Sequence, residues 1–343
     1  MNPSSRVVVI TGASSGIGRA TAELFGAKGW SVGLIARSVE NLDVTHCAIV
    51  EAGGVAATAA ADVTDSAALE NAADTIENEL GPITVWVNCA GVSVNGLFLD
   101  VSEAEFKRVT EVNYFGSVNG VRVALQRMAP RKRGTIVQVL STMSYRGIPL
   151  HSAYAGSKYA LRGFIETVRS ELVTSSTSIH VTMVHPPSIN TPIFDHVLFC
   201  NSQPTSPIQP IYQPEVAADA IYFAATSHRR EVFVSASSFG AALANKFAPG
   251  LLDVILGKAR LKRYQSSKTP APVPRESNLF EAGRLPSSMH GKFDHISRSK
   301  SWQLWASKNR AGLMTAVSIG LLGLMLLIRG AKRWLVETKM PSR

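Results

Sequence analysis

The sequence predicts an α/β fold: a doubly wound parallel sheet of about seven strands with helices on both faces, followed by a C-terminal extension of different character. Three observations predict it. Short apolar runs alternate with helix-like periodicity through the first 235 residues, as expected for strands buried on both sides. The first such run passes through a glycine-rich turn directly into a helix. Hydrophobic residues make up 45% of the 343, enough to fill a large core, which excludes a wholly disordered chain.

The elements follow in order. Arg6 to Thr11 is a buried strand, and the turn from Gly12 to Gly18 opens a helix that ends near Gly29. Ser31 to Ala36 is the second strand, a helix runs through Ala52, and a third strand lies near Ala56 to Ala61. Ser66 to Leu80 is helical, with Ser66 as its expected N-cap. Thr84 to Ala90 is strand four, Glu103 to Met128 is mostly helical, and Thr135 to Leu140 is strand five. A long helix spans Ala153 to Thr174, strand six spans Ile179 to Val184, Pro214 to Thr226 is helical, and Glu231 to Ser235 is a last short strand.

Beyond residue 235 the pattern breaks. Phe239 to Tyr264 suits one or two amphipathic helices interrupted at Pro249-Gly250. Four prolines (Pro270, Pro272, Pro274 and Pro286) and many serines mark the following stretch as a linker. Ala311 to Ile328 is an uncharged apolar run of 18 residues. As a helix it reaches about 27 Å, just enough for a bilayer core. The expected organisation is a catalytic domain over 1–235, an amphipathic extension over 236–265, a basic linker over 266–310, a membrane-spanning helix over 311–328 and a basic tail over 329–343. A helix lying in the membrane interface, or one buried in a homo-oligomer, are the rival readings of 311–328.

The net charge of +10 resides in the C-terminal part. Residues 246–343 hold 18 Lys and Arg against 5 Asp and Glu, whereas residues 1–245 are slightly acidic. Basic residues beside an apolar run suit anionic lipid head groups better than nucleic acid, so no nucleic-acid partner is expected. The three cysteines (Cys47, Cys89 and Cys200) are too scattered for a disulfide framework, and the eight histidines show no metal-site spacing, so no metal is expected. The N-terminus has no basic start and no cleavage site, so a secretory signal is not expected and the catalytic domain is placed in the cytosol.

The first motif with chemistry is Gly12-Ala13-Ser14-Ser15-Gly16-Ile17-Gly18. Glycines between a strand and a helix let the backbone approach a pyrophosphate, and the helix N-terminus offers it free N–H groups. Strand two then ends in Ala36-Arg37-Ser38, with no acid before Glu40. An acid there would bond the ribose 2′-hydroxyl of NAD. Arg37 instead suits the 2′-phosphate of NADP, with Ser14 or Ser38 adding a hydroxyl, unless it is an ordinary surface arginine. Asp62-Val63 ends strand three, where the carboxylate would accept from an adenine amino group or simply cap a turn.

The second constellation is Ser141, Tyr154 and Lys158. Tyr154 and Lys158 are four apart on one helix and share a face. A phenol alone is a poor proton shuttle at pH 7, and a neighbouring ammonium would lower its pKa.

These motifs, together with Asn88-Cys89-Ala90-Gly91 after strand four, Asn113, and the Pro186-to-Thr191 stretch after strand six, resemble the short-chain dehydrogenase/reductase family over roughly residues 5 to 235. The resemblance implies a Rossmann-type fold. It also implies that Tyr154 is the general acid or base, that Lys158 holds the nicotinamide ribose, and that Ser141 bonds the substrate oxygen. Asn113 would hold a water behind Lys158. Asn88, Ala90 and Gly91 would floor the cofactor site, and Pro186, Ile189 and Thr191 would lie beside the nicotinamide. The chain departs from the family pattern at Cys89, where a second asparagine is usual, and at Pro187, where glycine is usual.

Between Ser188 and Pro214 an apolar segment suggests a lid over a lipophilic alcohol or ketone, of steroid, retinoid or long-chain acyl type. The expected activity is NADP(H)-dependent interconversion of a hydroxyl and a carbonyl. The alternatives from other classes are a non-catalytic NADP-binding sensor and a membrane-tethered scaffold that keeps the fold; the retained Asn113, Ser141, Tyr154 and Lys158 argue against both.

Overall fold

The structure, a computed structural model, describes residues 6–175, 177–200, 207–266, 277–282, 288–310, 312–315 and 325–327. Its first half alternates strand and helix: β1 (Val7–Thr11), α1 (Gly16–Ala27), β2 (Ser31–Ala36), α2 (Val39–Glu51), β3 (Val55–Ala60), α3 (Ser66–Leu80) and β4 (Ile83–Asn88). A two-residue strand β5 (Val94–Asn95) precedes α4 (Glu103–Thr110), which joins α5 (Gly116–Met128) through a π-helical turn, Glu111–Phe115. Then come β6 (Arg133–Val139), α6 (Ser152–Thr174) and β7 (Ser178–His185). The segment after β7 holds β8 (Ser188–Ile189), the single turn α7 (Ile193–His196), β9 (Leu198–Phe199) and β10 (Ile211–Tyr212). The chain continues through α8 (Pro214–Thr226), β11 (Glu231–Phe233), α9 (Ala236–Phe247), α10 (Pro249–Ser266) and α11 (Trp302–Lys308).

Seven strands form one sheet in the order β11-β7-β6-β4-β1-β2-β3, and every pairing is parallel. The run Val-Val-Val-Ile-Thr of β1 is buried throughout because helices cover both faces of the central strand. Helices α1, α2 and α8 pack together on one face, and α3, α5, α4 and α6 on the other. Trp86 and Phe25 are among the largest fully buried side chains. The chain leaves β1 toward β2 and β3, then returns to β4 on the opposite side. That reversal opens a crevice at the carboxyl ends of β1 and β4, where open α/β sheets bind their ligands.

Two local expectations are corrected. Asp65, rather than Ser66, caps α3: its carboxylate accepts from the N–H groups of Ala67 and Ala68, both at 3.0 Å. A carboxylate also meets the positive end of the helix dipole, which a neutral hydroxyl does not. The linker expected over 266–310 is not one throughout, because 277–282 and 288–301 lie against the sheet domain. There Leu279 is fully buried, and Arg298 exchanges main-chain hydrogen bonds with Ile211 and Gln213.

The chain divides into two compact units, residues 1–301 and 302–343, the second containing α11. Most of the apolar run 311–328 lies outside the described residues. Among the described residues no helix is long and apolar enough to cross a membrane.

Candidate active site

The crevice opens into a cavity of about 500 Å³. The turn after β1 forms one wall. Gly12 has a φ of +71°, and a Cβ on it would meet the Ala90 backbone at 2.8 Å. At Gly18 a Cβ would lie 2.0 Å from the Gly12 carbonyl oxygen, so any side chain there opens the turn. Thr11 ties the two central strands together, because its hydroxyl accepts from the N–H groups of Cys89 and Ala90 at 3.1 and 3.2 Å. Ser15 occupies the N-cap of α1 without a side-chain cap, and Ile17 and Gly18 of the first turn line the cavity. Helix donors there suit an anion.

At one end of the cavity lie Ser14, Arg37, Asp62 and Val63. The Arg37 guanidinium donates to the Asn278 and Phe280 carbonyls at 2.5 and 3.0 Å. Both carboxylate oxygens of Asp62 are already engaged. One accepts from the N–H and hydroxyl of Thr64 at 2.9 and 2.8 Å, and the other from Arg108 at 2.5 Å. Burial alone would raise the Asp62 pKa, yet these bonds outweigh it and hold the carboxyl below its ordinary range.

At the other end Ser141 follows β6, and Tyr154 and Lys158 project from the first turns of α6. The Lys158 ammonium donates to the Val139 carbonyl at 3.0 Å and sits 5.6 Å from the centre of the Tyr154 ring. The expected lowering of the Tyr154 pKa by Lys158 is not what the geometry gives. Burial pushes the phenol up to about 12, with the Ser141 hydroxyl bond pulling the other way and Cys89 adding to the rise. The same burial pushes Lys158 down to about 8, opposed by Cys89, whose thiol burial raises to about 12. The reason is positional: the ammonium faces a carbonyl and the ring, so desolvation governs both groups.

Asn113 lies behind this cluster in the π-helical turn. Its side chain accepts from the Val92 N–H at 2.9 Å and donates to the Val92 carbonyl and the Ser157 hydroxyl at 3.0 and 3.1 Å. It is fully buried and does not line the cavity. Single π-helical turns interrupt the backbone ladder and often mark functional positions.

Of the expected residues, Gly12, Ser14, Ser15, Gly16, Ile17, Gly18, Arg37, Asp62, Val63, Ala90, Gly91, Ser141, Tyr154, Lys158, Pro186, Ile189 and Thr191 line the cavity together. Asn88 does not. Its side chain instead accepts from the Trp86 indole at 2.8 Å and donates to the Gln138 side chain and the Ser117 carbonyl at 3.2 and 3.3 Å, tying β4 to β6 and α5. His185 is also set apart, bonded to Ser144 and stacked on Phe233.

Phe194, Val197 and Ile208, from the segment expected to be an apolar lid, line the cavity. Met143, Ile148, Leu252 and Leu256 add to that apolar lining without a sequence signal, and the last two belong to α10 of the extension. Arg108, on α4, reaches Asp62 across 46 positions of sequence.

The family model described as short chain dehydrogenase matches residues 6–198. The chain belongs to this family. It is an oxidoreductase, and its relatives bear out that class. An uncharacterized oxidoreductase of Bacillus subtilis, YxnA, is 34% identical over 92% of this chain and 88% of its own length. The 3-dehydrosphinganine reductase of Danio rerio is 35% identical over 54% of this chain, and the match spans 57% of that protein. A metagenomic short-chain oxidoreductase solved in complex with NADP is 30% identical, with a TM-score of 0.57 over 66% of this chain and 96% of its own.

Proposed function

We propose that the protein is an NADP(H)-dependent oxidoreductase that interconverts a hydroxyl and a carbonyl on a lipophilic substrate. The observation that carries this reading is one cavity with Arg37 at one end, Ser141, Tyr154 and Lys158 at the other, and an apolar wall beyond them. The donor set fits a phosphorylated dinucleotide: the first turn of α1 suits a pyrophosphate and Arg37 a 2′-phosphate. When bound, such a group supplies or accepts a hydride.

This chain's own residues move the proton and hold the substrate. Tyr154, with a phenol pKa pushed up to about 12, is a neutral acid at pH 7 and delivers its proton to the substrate oxygen during reduction. Ser141 donates a hydrogen bond to that oxygen as negative charge develops on it. Lys158, held at the Val139 carbonyl beside the Tyr154 ring, would hold the nicotinamide ribose. Asn113 fixes the loop at Val92 and the helix at Ser157, keeping Lys158 aligned.

The apolar wall favours a long aliphatic or polycyclic ketone over a sugar, and a relative named for reducing 3-dehydrosphinganine supports that class. On the sequence alone, we further read residues 311–328 as a membrane anchor that keeps the enzyme near such substrates. The test is a screen of long-chain and polycyclic ketones and alcohols, following NADPH absorbance. Turnover of short hydrophilic carbonyls with no activity on lipophilic ones would overturn the substrate assignment.

A further inference from the structure

We propose that residues 277–282, far outside the motif-bearing domain in sequence, position Arg37 and thereby set selectivity for a 2′-phosphorylated cofactor. The inference rests on the reading that Arg37 meets that phosphate. Three successive carbonyls of this turn are committed to two arginines. Asn278 and Phe280 accept from the two terminal nitrogens of Arg37, and Leu279 accepts from Nε of Arg108 at 3.1 Å. Arg108 in turn grips Asp62 and donates to the Thr64 hydroxyl at 3.2 Å. The turn is held by the Leu279 side chain, which is fully buried in the main hydrophobic core.

A second stretch, 288–301, fastens the same part of the chain. The Ser288 carbonyl accepts from the Gly16 N–H at 3.0 Å, and Asp294 accepts from the side-chain amides of Asn190 and Gln213 at 2.8 and 2.9 Å.

Asn278 and Ala282 of the turn line the cavity together with Arg37 and Asp62. A guanidinium carries five N–H donors. The turn takes one from each terminal nitrogen, which leaves three that the turn does not use. A free arginine loses rotamer freedom when it grips an anion, whereas here two carbonyls fix the side chain beforehand. Immobilising one such side chain is worth about two- to tenfold in affinity. Arg37 is the side chain that meets the 2′-phosphate, whereas Asp62 keeps its bonds from Thr64, so the effect appears chiefly as selectivity rather than as general cofactor affinity.

The experiment measures dissociation constants for NADPH and NADH by fluorescence titration of the full-length protein and its Leu279→Asp, Leu279→Ala and Arg37→Ala variants. The wild type should prefer NADPH, and Arg37→Ala should erase most of that preference. Leu279→Asp should lower the NADPH-to-NADH preference by about tenfold and Leu279→Ala by about threefold, with NADH affinity unchanged within about twofold. If Leu279→Asp fails to fold, Leu279→Ala decides. A general packing defect would weaken both cofactors equally, and that result would overturn the inference. Tighter NADPH binding in the Leu279 variants would also overturn it, marking the turn as an obstacle. Unchanged preference in the Leu279 variants alongside its loss in Arg37→Ala would overturn the inference and leave the reading of Arg37 intact. A wild type without preference for NADPH would overturn both.

Discussion

Replacing Tyr154 with Phe removes one hydroxyl and keeps the ring. The structural cost is the loss of the bond with Ser141, about 1 kcal/mol, so the fold and NADPH binding should survive. The catalytic cost is larger, because the substrate oxygen loses its proton donor. General acid catalysis contributes about 10²- to 10⁴-fold, or about 3–5 kcal/mol of barrier. The pKa values add a directional signature. With the phenol at about 12, only ~10⁻⁵ of it is ionised at pH 7, so reduction starts from the abundant neutral form. Lys158, pushed down to about 8, loses its ammonium as the pH rises through that value. Wild-type reduction should therefore be level below about pH 8 and decline above it. Oxidation requires the phenolate and should climb over the same range. The assay follows NADPH absorbance with a lipophilic ketone in one direction and the matching alcohol in the other, with cofactor binding measured by fluorescence. Near-normal turnover by the Tyr154→Phe variant, or a reduction rate that rises with pH, would refute the assignment.

Four further outcomes are expected. Arg37→Asp should reverse or erase a preference for NADP(H), since each charge-assisted bond to phosphate is worth about 1.5–3 kcal/mol; kcat/KM with both cofactors measures it. Gly18→Ala should lower Tm and abolish cofactor binding, because its Cβ would sit 2.0 Å from the Gly12 carbonyl oxygen and the backbone must move, at about 2–4 kcal/mol. Burial alone would raise the Glu231 pKa, but the His185 ring 3.5 Å away and the bond from the Tyr145 hydroxyl hold it at about 2, below the ordinary 4.5. A depressed carboxylate stabilises the fold fully above its unfolded pKa and loses that contribution as the pH falls toward 2. Glu231→Gln should thus cost about 1–2 kcal/mol at pH 7, after allowance for solvent screening, and the difference in denaturant midpoint should shrink between pH 4.5 and 2. Full-length protein should stay with membranes through high salt and alkaline carbonate, whereas release by either wash would exclude a spanning anchor over 311–328.

What could be read from the sequence was local. The strands were legible because helices bury both their faces, which leaves uninterrupted apolar runs such as Val7 to Ile10. Ser141, Tyr154 and Lys158 were legible because their chemistry fixes residue type and spacing on one strand end and one helix face. The arginine environment was not. Arg37 is held by main-chain carbonyls, which every residue possesses, and the turn that supplies them lies 241 to 243 positions away. Prolines and serines around that turn read as linker, and its two adjacent large apolar residues, Leu279 and Phe280, carry no periodicity to show that Leu279 is the buried one. Asn88 illustrates a different limit: its place at the end of β4 is visible, but whether its amide faces the cavity or Trp86 depends on how the strand meets α5. The pKa values of Tyr154 and Lys158 were illegible for the same reason. Spacing places the two side chains on one face, yet the sign of each shift depends on how closely the protein surrounds them. Residue identity thus announces the chemistry, while its strength and selectivity are set by distant backbone that carries no motif.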